Sequence, residues 1–237
     1  MGTLRLFPLN TVLFPGAVLD VQVFEPRYRR LVEECREDGQ AFGVCLIREG
    51  DEAGDPDVMP CEIGTTAEIA EVRPLEGGRY FLRSIGRRRF RIERIVDRRS
   101  YLLAEVSYLD DGATSNEEDS KRLAGELRDA FGQYMRLLVE FSGGQPDLVL
   151  PDDPSEVSYR IADSLQVADA MKQRLLELAS TEQRLRVELQ LLRRLLPQLR
   201  ALVERRREVP PSERSGAPGG ASRAEQERFF GRHFSLN

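Results

Sequence analysis

Few residues in this sequence have the chemistry to act as catalytic bases. His233 is the only histidine and stands close to the end of the 237 residues. A His-based triad or a zinc site inside a fold therefore has little to build on. Lys121 and Lys172 are the only lysines, and neither follows a glycine, which removes the phosphate loop G-x-x-x-x-G-K-[ST]. Lys121 opens a charged helical stretch and Lys172 lies between Met171 and Gln173 on an amphipathic one. Both read as solvated or snorkelling stems rather than as half of a Ser–Lys dyad. The patterns G-x-G-x-x-G and G-x-S-x-G are absent. Cys35, Cys45 and Cys61 form no C-x-x-C pair, and so odd and sparse a set reads as reduced thiols in a cytoplasmic protein. Acids gather at Glu49, Asp51, Glu52, Asp55 and Asp57. A calcium loop begun at Asp51 fails at Ala53, where an acid is needed, and at Pro56, where glycine is needed. No cofactor and no metal is expected, and no catalytic residue is named.

The arginines carry more information. Lys and Arg total 35 against 40 acids, a net charge of −5, and two of the 35 are lysine, so 33 are arginine. Residues 49–76 hold nine acids and one base, while residues 79–99 hold nine arginines and two acids. Within Arg87-Arg88-Arg89-Phe90-Arg91-Ile92, strand alternation sends Phe90 and Ile92 one way and Arg87, Arg89 and Arg91 the other. Two readings follow: an anion-binding stripe for phosphate or acidic peptide, or cross-strand pairing with the acidic segment that precedes it. The overall acidity argues against a general nucleic-acid coat.

The elements that would position these side chains change character near residue 112. Before it the pattern is β-rich. Leu19, Val21 and Val23 alternate with polar residues, Phe42–Ile47 is a compact apolar run, and Ile63, Thr65, Ala67 and Ile69 share one parity. Gly77-Gly78 should close a hairpin between that last run and a strand spanning Tyr80–Val96, with another over Tyr101–Leu109. One helix interrupts, opened by Pro26, with Tyr28, Leu31, Val32 and Cys35 on one face and Gly39 at its end. After a polar linker the pattern is helical: Glu117–Phe141, then Ser155–Leu165 behind an Asp153–Pro154 cap, then Ala168–Ala179. A last helix carries Leu185, Leu189, Leu192, Leu196, Leu199 and Val203 as a heptad-like seam. Pro197 puts the turns beyond it in question. The seam should pack within its own bundle rather than on another chain. Residues 208–237 read as a flexible tail with aromatics at Phe229, Phe230 and Phe234, either a docking motif or a segment folded back. No apolar stretch approaches a membrane span.

Several short motifs occur in one order: Phe7-Pro8-Leu9, Phe14-Pro15-Gly16, Phe24-Glu25-Pro26-Arg27-Tyr28, Phe42-Gly43-Val44, Glu62-Ile63-Gly64-Thr65 and Gly86-Arg87-Arg88-Arg89-Phe90-Arg91-Ile92. The series resembles the N-terminal substrate-binding domain of Lon proteases, and Ile161-Ala162-Asp163, Lys172-Gln173-Arg174-Leu175-Leu176-Glu177 and Arg184-Leu185 resemble its helical part, so that the resemblance covers about residues 4–205. The resemblance implies an α+β fold, a PUA-like β-rich pseudo-barrel over 1–112 with one or two helices, followed by a helical bundle over 113–207. It implies a non-catalytic module that binds unfolded or partner polypeptides, with a role as adaptor to a separate protease or chaperone. No ATPase or proteolytic part of Lon has a counterpart in these residues. The expected peptide-binding wall, in a groove between barrel and bundle, is Phe14, Pro15, Leu19, Phe24 and Tyr28, with Phe24 and Tyr28 read first as core. The alternative is a nucleic-acid or nucleotide binder using Arg87, Arg89 and Arg91, since PUA-like barrels often bind RNA.

Overall fold

The computed structural model describes residues 2–51, 55, 57–98, 100–111, 116–142 and 149–208. The elements are β1 (Gly2–Leu9), β2 (Val18–Val23), α1 (Pro26–Asp38), β3 (Phe42–Glu49), β4 (Met59–Pro60), β5 (Ile63–Leu75), β6 (Arg79–Asp97), β7 (Leu102–Leu109), α2 (Glu117–Ser142), α3 (Pro154–Ser164), α4 (Asp169–Glu177) and α5 (Thr181–Glu208). They fall into two compact units. One holds the residues through Asp111 together with Asp169–Ala179, so α4 groups with the strands; the other holds α2, α3 and α5. Residues 112–115 of the linker and 209–237 of the expected tail, with its aromatic segment, lie outside the described residues.

In the first unit β1, β7, β6, β5 and β3 pair in that order, and β1 also pairs with β3, which closes the ring into a barrel. The closing pair is parallel, Leu6↔Gly43 through Leu9↔Leu46, whereas the ring's other pairings are antiparallel. The long β6 makes closure possible. It pairs with β5 at Arg79–Arg91, with β2 at Tyr80–Ile85, and with β7 at Arg89–Asp97. Register shifts along its ladders with β5 and β7 bend it through the turn a small barrel needs. The β5–β6 hairpin closes at Gly77 and Gly78 with φ of 73° and 69°, a left-handed pair that glycine enters without a Cβ clash. At Gly86 the need is steric. A Cβ there would stand 2.2 Å from the Phe14 carbonyl oxygen, where the chain crosses β6 before β2.

Leu4, Leu6, Cys45, Phe90, Leu102, Ala104 and Val106 fill the barrel, with Ile92 against them. Phe90 and Ile92 thus share the inner face, as strand parity requires. α1 buries Tyr28, Leu31, Val32 and Cys35. Its polar side is pinned by Arg5 of β1, 3.2 Å from Glu34 and 2.8 Å from Asp38, and by the Tyr101 hydroxyl, which donates to Glu34.

The helical unit is built on α2 and α5. Glu126, Gln133 and Glu140, seven apart on α2, meet Arg193 (3.8 Å), Arg200 (2.9 Å) and Arg207 (2.6 Å), seven apart on α5. The constant offset means that the helices run parallel. Between these links lie buried stripes at alternating steps of four and three, Leu127, Phe131, Tyr134, Leu138 and Phe141 against Leu192, Leu196, Leu199 and Val203. This is coiled-coil-like packing within one chain. α5 runs through Pro197 without a break. The proline sits on the exposed side, and the buried leucines flanking it hold the turn it would otherwise open. α3 begins as its sequence predicts, with Asp153 Oδ1 accepting from Ser155 N (2.9 Å) and Glu156 N (3.0 Å).

Candidate functional site

The site grows out of the passage from β2 to α1. Strand alternation buries Leu19 and Val23, half-buries Val21, and turns Val18, Asp20 and Gln22 outward. The chain must then enter a helix at once. Glu25 is the extended N-cap and Pro26 fixes the first turn. Phe24 is caught between the two elements and remains 57 % exposed, so the expectation of a core Phe24 is corrected. One turn on, Tyr28 is buried and stacks on Phe7 of β1, ring centroids 4.1 Å apart.

Phe7, Leu9, Val21, Gln22, Val23, Phe24, Glu25 and Tyr28 line a cavity of about 280 Å³ within the barrel unit. Its one charged lining residue is engaged, because Arg27 Nε lies 2.9 Å from Glu25 Oε2. Arg27 also donates to the Asp55 carbonyl (2.8 Å) and lies 4.6 Å over the Tyr28 ring. Apolar walls with few polar groups suit an uncharged, apolar side chain.

The expected site residues separate. Phe24 and Tyr28 line the cavity, Pro15 is half-buried, and Phe14 and Leu19 are buried in the barrel and do not line it. Phe7, Leu9, Val21, Val23, Gln22 and Glu25 complete the lining; the Phe7-Pro8-Leu9 and Phe24-Glu25-Pro26-Arg27-Tyr28 motifs and the period-2 parity of Val21 and Val23 signal all of these but Gln22.

The three arginines separate as well. Arg87 and Arg91 are exposed, and Arg87 Nε lies 2.7 Å from Glu68. Arg89 is 2 % exposed. Its guanidinium donates to the carbonyls of Leu176 and Leu178 (2.9 Å each) and Asp110 (3.3 Å), and lies 2.9 Å from Asp111. It thus caps the C-terminal carbonyls of α4, where a cation is favoured. The carboxylates that meet the arginine run come mostly from outside 49–76: Asp20 for Arg83, Asp110 for Arg88, Asp111 for Arg89 and Glu105 for Arg94.

A second polar cluster lies inside the helical unit. Ser158 Oγ is 2.8 Å from Glu188 Oε1 and accepts from Arg184 Nε at 2.7 Å. Arg184 and Glu188 are fully buried. Burial pushes the Glu188 carboxyl up to about 8, against the pull of Arg184 and of the Ser158 hydroxyl. The cluster ties α3 to α5 and has no surface a substrate could reach. Burial likewise raises the Cys35 thiol to about 11 and Cys45 further, so neither is an activated nucleophile. Among the described residues no group of three or more His, Cys, Asp or Glu could hold a metal, and no helix is long and apolar enough to cross a membrane.

Known proteins share this architecture. The chain is 28% identical over 193 residues to Lon protease 2 of Myxococcus xanthus, and 26% identical over 195 residues to the Lon protease of Anaeromyxobacter dehalogenans. Each match takes in 81% of this chain and 23% of the relative, so the chain spans under a quarter of the length of these proteases. A Lon N-terminal domain protein from Xanthomonas campestris superposes with a TM-score of 0.59 at 31% identity, covering 78% of this chain and 96% of that one. The N-terminal domain of a Mycobacterium avium complex Lon protease shares the fold at 20% identity and a TM-score of 0.61. The model of the ATP-dependent protease La (LON) substrate-binding domain matches residues 3–194. By that match the chain belongs to the LON substrate-binding domain family.

Proposed function

We propose that this protein recognises non-native polypeptide through the cavity beside β2 and α1, and holds it without chemistry of its own, as an adaptor would for a separate protease. One observation carries the reading. Phe24 stands exposed at the mouth of an apolar cavity whose one acid is already paired, on a domain of a substrate-binding family. An unfolded chain exposes the apolar side chains such a cavity takes, and a native one hides them. The arginine run does not favour the nucleic-acid alternative, since Arg83, Arg87, Arg88, Arg89 and Arg94 each have a carboxylate partner.

The test is binding of a reduced, alkylated model protein against its native form, with wild type and Phe24→Asp. Saturable binding of the unfolded form alone, weakened roughly tenfold or more by the substitution, is the expected result. Equal and negligible binding to both forms overturns the reading.

A further inference from the structure

β2 has a single strand neighbour among the described residues, β6. The phase of that ladder is fixed by Gly86, whose N–H donates to the Ala17 carbonyl at 2.9 Å just ahead of the strand. The register then runs without a shift from Val18↔Ile85 to Val23↔Tyr80. Antiparallel pairs alternate, so Leu19, Val21 and Val23 exchange hydrogen bonds with β6. The N–H and C=O groups of Val18, Asp20 and Gln22 point away from β6, along the other edge.

Exposed edges are ordinarily blunted by lysine, proline, a bulge or a charge held over the edge. β2 has no lysine, no proline and no shift of register. Its one charge, Asp20, is drawn back over β6, where Arg83 holds both carboxylate oxygens at 2.8 and 2.7 Å. Val18 and Phe24 stand exposed at either end, and Gln22 lines the cavity.

We propose that a bound polypeptide adds to β2 as a further strand, pairing its backbone with Val18, Asp20 and Gln22 and placing an apolar side chain in the cavity under Phe24. The inference rests on the polypeptide-binding reading above and adds the manner of binding. The occupant is an extended, neutral, alternately apolar stretch of another chain. Charge decides this: Asp20 and Glu25 are each held by an arginine, so a charged residue brought into the cavity would be desolvated without a partner. Backbone pairing supplies affinity for any sequence able to extend, and the cavity asks only for an apolar side chain.

The experiment uses the full chain and a capped peptide of about six residues, an ordinary strand length, alternating valine with serine and threonine. Two N-methylated versions block alternate sets of its amides. Strand addition predicts that one set abolishes binding and the other leaves it within about twofold, because only every second amide faces β2. It also predicts that the amides of Val18, Asp20 and Gln22 exchange with deuterium at least about tenfold more slowly in the complex, while those of Leu19, Val21 and Val23 change little. Equal binding of both methylated peptides overturns strand addition and leaves the polypeptide-binding reading standing. So does loss of peptide binding while unfolded protein is still bound. Protection that appears without peptide and grows with protein concentration assigns the edge to a second copy and overturns the inference. Failure of both peptide and unfolded protein to bind removes both readings.

Discussion

The Tyr28 ring lies 4.1 Å from the Phe7 ring, centroid to centroid and 23° from parallel, and the two form one wall of the cavity beside β2. The pair joins the strand that closes the barrel to the first turn of α1. Removing one partner both empties the wall and loosens the closure. Tyr28→Ala should therefore destabilise the protein by roughly 3–5 kcal/mol, as truncation of a buried aromatic does. Urea unfolding checks this. A loss under ~1 kcal/mol would show that the stack packs against nothing essential.

Arg89 draws α4 onto the barrel by its last carbonyls, and each bond it makes there has a specific geometry. Arg89→Met keeps the stem and removes the donors, leaving buried carbonyls and the Asp111 carboxylate without them. Each orphaned group costs about 1–3 kcal/mol. Arg89→Lys should recover part of this, because an ammonium keeps the charge but not the planar fork. In hydrogen exchange, the amides of Asp169–Glu177 should open before those of β6 in the methionine variant. Simultaneous opening of both would mean that α4 is held by something else.

The sequence made some of this legible and hid the rest for physical reasons. Local signals were reliable: Pro26 and Gly39 bound α1, Gly77-Gly78 closed the hairpin, Asp153 capped α3, and the leucine seam of α5 found its partner in α2. Parity along β6 placed Phe90 and Ile92 inside. It could not say that a helix from eighty-seven residues away would cover Arg89 on the outer face. β1 escaped for the same reason. Its parallel pairing with β3 is non-local, and Pro8 argues against a paired strand, yet Pro8 sits in register with Cys45. Sequence alone does not separate core from wall at Phe24, because aromatics are usually buried. Only the abrupt passage from β2 to α1 leaves it outside.

Pro197 makes the helical unit testable from the opposite direction. An interior proline removes a helix hydrogen bond and presses on the preceding turn, a penalty of about 3 kcal/mol in an isolated helix. Here the helix continues to Glu208 across an exposed proline. Pro197→Ala should raise the stability of this unit by a sizeable part of that figure, read as a higher thermal midpoint. A lower midpoint would mean that the proline's bend is what sets Leu199 and Val203 against α2.

Glu188 gives the unit a pH dependence of definite sign. Burial holds its proton up to about pH 8, whereas an ordinary glutamate releases it near 4.5. Between those values the folded chain binds the proton and the unfolded chain does not, so stability falls as pH rises through that window. The exposed pairs act the other way. Asp20 and Glu105 are held below their usual values, chiefly by hydrogen bonds from Arg83 and Arg94, and their contribution is lost as acid protonates them. The thermal midpoint should therefore peak near about pH 5 and decline towards pH 8. Glu188→Gln keeps an acceptor for the Ser158 hydroxyl and cannot titrate, so it should flatten the decline above pH 5 while leaving the acid limb unchanged. An undiminished decline in the variant would place the titrating group elsewhere and return Glu188 to the charged form beside Arg184.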